Sequence, residues 1–310
     1  MLPEISPWEW TALRIYRLGL LITLPVALAA QAPSMPMDHH DPRAMPAAVT
    51  RHTLDQIAEA ERVAAAFDTP EKARAAGYRP RFGDVPLQGE HYSNRRLVLA
   101  GTFDLEHPPI LMFAPIDGRE KLIGVAYAYE VKQGEPTPDG FDGAAMWHEH
   151  PALSLPGKRL VMTHVWFVPS PNGPFAHDNP MLAFLERDLD FPPDGWLDAP
   201  TLRKLALTLS LARPRTPGSG RAIVGPRNDS LVQLLIAERD TVNALVPSLA
   251  AARHAGKRSD YRMIAAQIGG RADKIIATVK QIPADSAGRA FFGRLLDEAL
   301  SDHMTREVNP

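Results

Sequence analysis

Proline restricts this chain more than any other feature. It occupies 30 of the 310 positions, and many of these lie between residues 80 and 226. A proline has no amide donor and clashes with the preceding helical turn, so this density favours short strands and ordered loops over long helices. The apolar runs between the breakers, at residues 95–100 (RRLVLA), 109–114 (PILMFA), 121–131 (KLIGVAYAYEV) and 159–168 (RLVMTHVWFV), are each bounded by Gly, Pro, Asp or Asn. They read as strands of an antiparallel sheet, a sandwich or a small barrel.

Helical spacing flanks this stretch on both sides. Leu54, Ile57, Val63 and Phe67 mark an amphipathic helix that Thr69-Pro70 interrupts before a shorter one ending at Gly77. Beyond the strands, residues 201–212 read as a helix and 214–226 as a loop. Leu234, Val242, Leu245 and Leu249 mark a long helix that Pro247 bends or ends and that Gly256 stops. A continuous stripe from Tyr261 through Ile268 and Ala272 to Val279 predicts one further helix, and residues 285–304 a last one. The expected class is therefore α+β, with an N-terminal helix, a β-rich middle and a C-terminal helical bundle. The expected organisation is a signal peptide (1–32), a flexible leader (33–49), a helix plus β-rich domain (50–198) and a helical C-terminal region (199–310).

The export signal rests on residues 18–30 (LGLLITLPVALAA), an uncharged apolar run preceded by Arg14 and Arg17 and followed by small residues. Cleavage after Ala29 or after Ala32 satisfies the small-residue rule equally. The competing reading, a retained anchor, needs about 20 apolar residues, more than this Pro25-containing run supplies. A mature protein in the periplasm or outside the cell is expected, with no stable membrane span. The leader carries Met35, Met37, His39, His40 and Met45, donors suited to copper; its plainer reading is a tether.

With 34 basic and 36 acidic residues and a net charge of -2, no global field draws the chain to nucleic acid. It contains 0 cysteines, which excludes disulfides, thiolate metal sites and a cysteine nucleophile. Any metal site must then be built from His, Asp, Glu or Met. Four of the 11 histidines, His91, His148, His150 and His164, fall in the β-rich stretch. On an extended segment His148 and His150 share a face, and the turn at residues 155–158 brings His164 alongside them on an antiparallel neighbour. Such imidazoles suit a mononuclear site for a divalent ion: zinc, copper or iron. Glu90 and Glu149 are the candidate proton-transfer groups, and Glu130 a candidate partner for a ligand. Tyr92, Trp147, Trp166 and Phe167 are expected to wall the site. The turn-rich segment 169–180 offers His177, Asp178 and Asn179 as a pocket rim, with an ordered structural loop as the plainer reading.

The strings Ala76-Gly77-Tyr78, Gly89-Glu90-His91-Tyr92, Gly124-Val125-Ala126-Tyr127, His164-Val165-Trp166 and residues 172–180 together resemble a set of uncharacterised exported bacterial proteins. The resemblance covers residues 70–180. It implies export and a shared site around His91 and His164, with a carboxylate in some relatives where this chain has Ala126. The His-x-His element is also similar to cupin metal sites, although the remaining spacing departs from theirs. The functional expectation is an exported metal-binding protein, with enzymatic action on a small substrate left open. The alternative is a non-enzymatic module that binds a small-molecule ligand or a protein partner.

Overall fold

The computed structural model describes residues 49–213 and 230–281, which belong to one compact unit. The signal, the leader, the 214–226 loop and the 285–304 helix expected above lie outside the described residues. The fold is α+β, with an open antiparallel sheet. None of the described helices is long and apolar enough to cross a membrane.

Helix α1 (Arg51–Ala64) begins at Thr50, whose side chain accepts from the Thr53 amide while the Thr53 hydroxyl accepts from the Thr50 amide, so two end donors of the helix are satisfied reciprocally. After a single 3-10 turn, Thr69 caps α2 (Pro70–Ala75), with Pro70 in the first turn where its missing amide costs nothing. The sheet follows: β1 (Arg79–Val85), β2 (Gly89–Ser93), β3 (Ile110–Ile116), β4 (Arg119–Lys132), β5 (His148–Glu149) and β6 (Lys158–Trp166). Its order is β1-β2-β3-β4-β6-β5, and every pairing is antiparallel. Asp117 and Gly118 join β3 to β4 with positive φ at both positions, 52° and 71°. That is the geometry a two-residue hairpin turn requires and Asp-Gly supplies.

Two sequence expectations are corrected. Residues 95–100 are not a strand: Arg95–Val98 forms a short helix, α3, because Asn94 accepts from the Arg96 amide and turns the chain. The stripe from Tyr261 to Val279 is two helices, α7 (Arg258–Gly269) and α8 (Ala272–Gln281), broken at Gly270-Arg271. By contrast α6 (Ser230–His254) runs through Pro247. Strands β1 and β2 were not expected, since Arg79 to Val85 mixes charge, Pro and Gly in place of an apolar run.

One sheet face packs Leu111, Phe113, Val125, Tyr127 and Val165 against Ala60 and Ala64 of α1. The other carries Met112, Ala126, Ala128, Met162 and Trp166 beneath Ala176 and Leu182; Leu182 belongs to α4 (Met181–Leu185). A third core joins α5 (Ala199–Leu211), α6, α7 and α8, and it includes Leu87 from the β1–β2 turn. Helices and sheet are also tied by a buried ionic group. Arg213, 4% exposed, pairs with Asp84 of β1 and, at 2.6 Å, with Glu186 at the end of α4.

Gly89 shows how tightly the β2 entry is packed. Its φ is +74°, and an added Cβ would lie 2.4 Å from the Phe113 carbonyl oxygen. Gly89→Ala is expected to cost about 2–3 kcal/mol or more, from strain and the clash with fixed backbone. Gly118, at φ +71° with nothing within 4 Å, should lose only about 1 kcal/mol as Ala. Urea denaturation of the two variants checks this, and equal losses would remove the packing argument.

Candidate functional site: a buried histidine cluster

Directly paired residues in a sheet point to the same side, which puts three strand histidines on one face. His91 of β2 pairs with Met112, which pairs with Gly124, which pairs with Trp166. His164 pairs with Ala126 of β4, and His148 pairs with Met162. Two strands separate His91 from His164, yet their Nε2 atoms approach to 3.4 Å. The side chains reach toward each other across β3 and β4, whose Met112, Gly124 and Ala126 are in register on the same face.

The segment after β6 folds over these rings and adds another. The Trp166 indole donates to the Ala176 carbonyl at 2.7 Å, the Asn179 amide donates to the Leu87 carbonyl at 3.0 Å, and the Asn179 side chain donates to Pro169 and accepts from Met181. Held this way, the His177 ring lies edge-on to His148 with centroids 4.4 Å apart and 5.6 Å from His164. The His148 centroid is 5.1 Å from that of His164 and 4.9 Å from that of His150. His91, His148, His164 and His177 are buried, and His150, at the end of β5, is half-buried.

The site therefore joins His91, His148, His150 and His164 with His177, which the sequence suggested only for a pocket rim. Asn179 holds the covering loop in place. Trp166 lies on the histidine face, 5.6 Å from His164. Tyr92 and Trp147 do not wall the cluster: they pack in the core on the α1 side, where Tyr92 accepts from Arg74 and meets Phe113 edge to face. Phe167 packs against that same core. Glu149 is exposed and paired with Arg159, Glu130 is paired with Lys158, and Glu90 alternates to the face opposite His91. The carboxylates proposed for proton transfer thus stand apart from the rings. Gln88, whose amide nitrogen is 3.4 Å from both ring nitrogens of His177, was missed, as was Arg203 beside the buried Asp178 at 3.7 Å. No local sequence signal marks either, since both contacts join distant segments.

Burial decides the protonation of these rings. Loss of hydration pushes His91 down to about 4, with repulsion from His150 adding to it and the Gly89 backbone and Asp84 opposing. His148 and His164 are driven well below their ordinary value by burial first and by neighbouring imidazoles second, against hydrogen bonds that the rings donate to the backbone at Met146 and His177. All three are neutral near pH 7, the state in which imidazole binds metals. The His148 Nε2 is buried with no hydrogen-bond partner among the described residues. As the side chains stand, no group of three His, Asp or Glu donors among the described residues is arranged to hold an ion.

Comparison of the chain with protein-family models, curated proteins and solved structures finds no match.

A depressed histidine pKa in the folded state means that the unfolded chain binds more protons below about 6.5. The contribution is complete above that value and is lost as the pH falls toward the folded value of about 4 for His91. His91 alone accounts for roughly 3 kcal/mol over this window. Urea denaturation in the presence of a chelator should show a clear loss of stability between pH 7.5 and 5, and His91→Gln should reduce it. Equal stability at the two pH values would mean that the rings are not held neutral.

Proposed function

We propose that this chain is an exported metal-binding protein whose cluster of His91, His148, His150, His164 and His177 holds one divalent transition-metal ion. The 3.4 Å separation of the His91 and His164 Nε2 atoms carries this reading. Two imidazoles on one tetrahedral ion, each about 2.0–2.1 Å from it, have their bonded nitrogens about 3.4 Å apart and their ring centroids about 5 Å apart. The centroids of His148 and His164, at 5.1 Å, and of His91 and His164, at 5.6 Å, fall near this separation. A third nitrogen, from His148 or His177, would come to the same ion by rotation of its ring.

The energetics support the same conclusion. A buried polar nitrogen without a partner costs about 1–3 kcal/mol, and packing several neutral imidazoles together serves no core that Leu or Phe could not fill better. A bound ion removes that cost by accepting the lone pairs. Zinc, copper and iron all accept such a donor set. His91, His148 and His164 come from strands and supply the rigid part; His177 arrives on the covering loop. His150, half-buried beside the other rings, is the group nearest to solvent and to an incoming ligand. Bound in this way, an ion would supply Lewis acidity or ligand storage; Glu90 and Glu149 lie off the ring face, and Asp84, whose charge reaches His91, is paired with Arg213, so metal binding is the reading favoured over hydrolysis. The apolar run at residues 18–30 supports export.

Protein purified without a histidine tag and loaded with zinc, copper or iron is expected to retain one ion per chain by elemental analysis. Ion at 100 times its dissociation constant should add about 2.7 kcal/mol of stability. His148→Ala and His164→Ala should lose both effects. An unmodified protein that retains no ion, and whose melting temperature none of the three metals changes, would end this proposal. Mass spectrometry of the exported protein should find a mature chain beginning at Ala30 or Pro33; an intact residue 1–30 segment on the exported form would contradict cleavage.

A further inference from the structure

The histidine face carries two methionines at the positions paired with two of the rings. Met112 of β3 pairs with His91, and Met162 of β6 pairs with His148. Both are buried, at 0% and 2% exposure. Directly paired side chains on one face have their Cβ atoms about 4.5–5.5 Å apart, so each thioether lies within side-chain reach of an imidazole. The placement of Met112 is more specific still. Its Cε lies 2.6 Å from where a Cβ on Gly124 would be, so its terminal methyl rests over β4. Strands β3 and β4 lie between His91 and His164, whose rings approach each other on this face. A glycine at position 124 therefore leaves the room that the methionine tip takes on the histidine face.

We infer that the cluster is a copper site, in which the Met112 and Met162 thioethers join the imidazoles to hold Cu(I). This rests on the reading of the histidines as a metal site and narrows the metal to copper, held in its cuprous as well as its divalent state. Donor chemistry makes the distinction. Thioether sulfur is soft: it adds little affinity for zinc, and it favours cuprous copper. Imidazole binds both oxidation states of copper, so the mixed set accepts either. Two buried thioethers flanking an imidazole cluster are wasted on zinc or iron and useful to copper. The chain contains no cysteine, so any sulfur bound to the ion must be methionine.

The test uses the full, untagged chain. Copper is supplied anaerobically with ascorbate as reductant, and affinity for Cu(I) is read by competition with bicinchoninate; zinc affinity is read separately. The unmodified protein should take up one Cu(I). Met112→Leu/Met162→Leu, which nearly conserves volume, should weaken Cu(I) by about tenfold or more and leave zinc binding nearly unchanged. X-ray absorption on the Cu(I)-loaded protein should show a sulfur neighbour that the double variant lacks, and on the unmodified protein it decides the matter even if the variant does not fold. A first shell of nitrogen alone, or a sulfur signal that persists in the double variant, overturns the copper assignment while leaving the histidine site intact. Failure to bind zinc, Cu(II) or Cu(I) at all overturns both.

Discussion

Four imidazoles removed from water into one volume impose the main constraint on this molecule. Each ring prefers solvent, each repels the protonated form of the others, and burial drives His91, His148 and His164 to neutrality. A cluster with that cost persists only where the surrounding structure over-determines it. Here the determination comes from three strands in fixed register, from Gly124 and Ala126 where space is needed, and from a loop held by the Trp166 and Asn179 hydrogen bonds.

The rest of the fold can be understood as support for that arrangement. The α1 side of the sheet is an aromatic core, with Tyr92 on Phe113 and Tyr127 on Phe141, and this stiffens the strands from behind. On the other side, the buried Arg213 joins β1 to the end of α4 through Asp84 and Glu186. A buried pair of this kind adds little net stability but is costly to break, about 3–5 kcal/mol when one partner is removed. Its effect is geometric: it holds the helices against the turn that leads into β2 and His91.

Much of the framework was legible in the sequence. Strands β3, β4 and β6 are long, rich in branched and aromatic residues and bounded by breakers, so their pattern survives without tertiary help. The His148/His150 pair and the turn before β6 gave an antiparallel partner for His164, and the structure places the rings together. Short elements were harder. Arg95 to Ala100 is apolar enough for a strand, but the Asn94 cap competes locally and wins; β1 and β2 hide their strand character because pairing with neighbours in the sheet, not composition, makes them strands. The break at Gly270-Arg271 was missed because the apolar stripe continues across it: both helices bury the same side against α5 and α6.

By itself, the sequence determined the class of fold, the absence of cysteine chemistry and the set of residues from which a metal site would have to be drawn. Those follow from local pattern and from composition, which need no knowledge of distance. Only the tertiary structure decided which residues meet. It brought His177 into the cluster from a loop, moved Tyr92 and Trp147 to the opposite core, separated the glutamates from the rings, and set Met112 and Met162 beside His91 and His148. The physical reason is that strand register and loop docking are set by long-range packing: a single-residue shift in register reverses every side chain, and no local pattern records that choice.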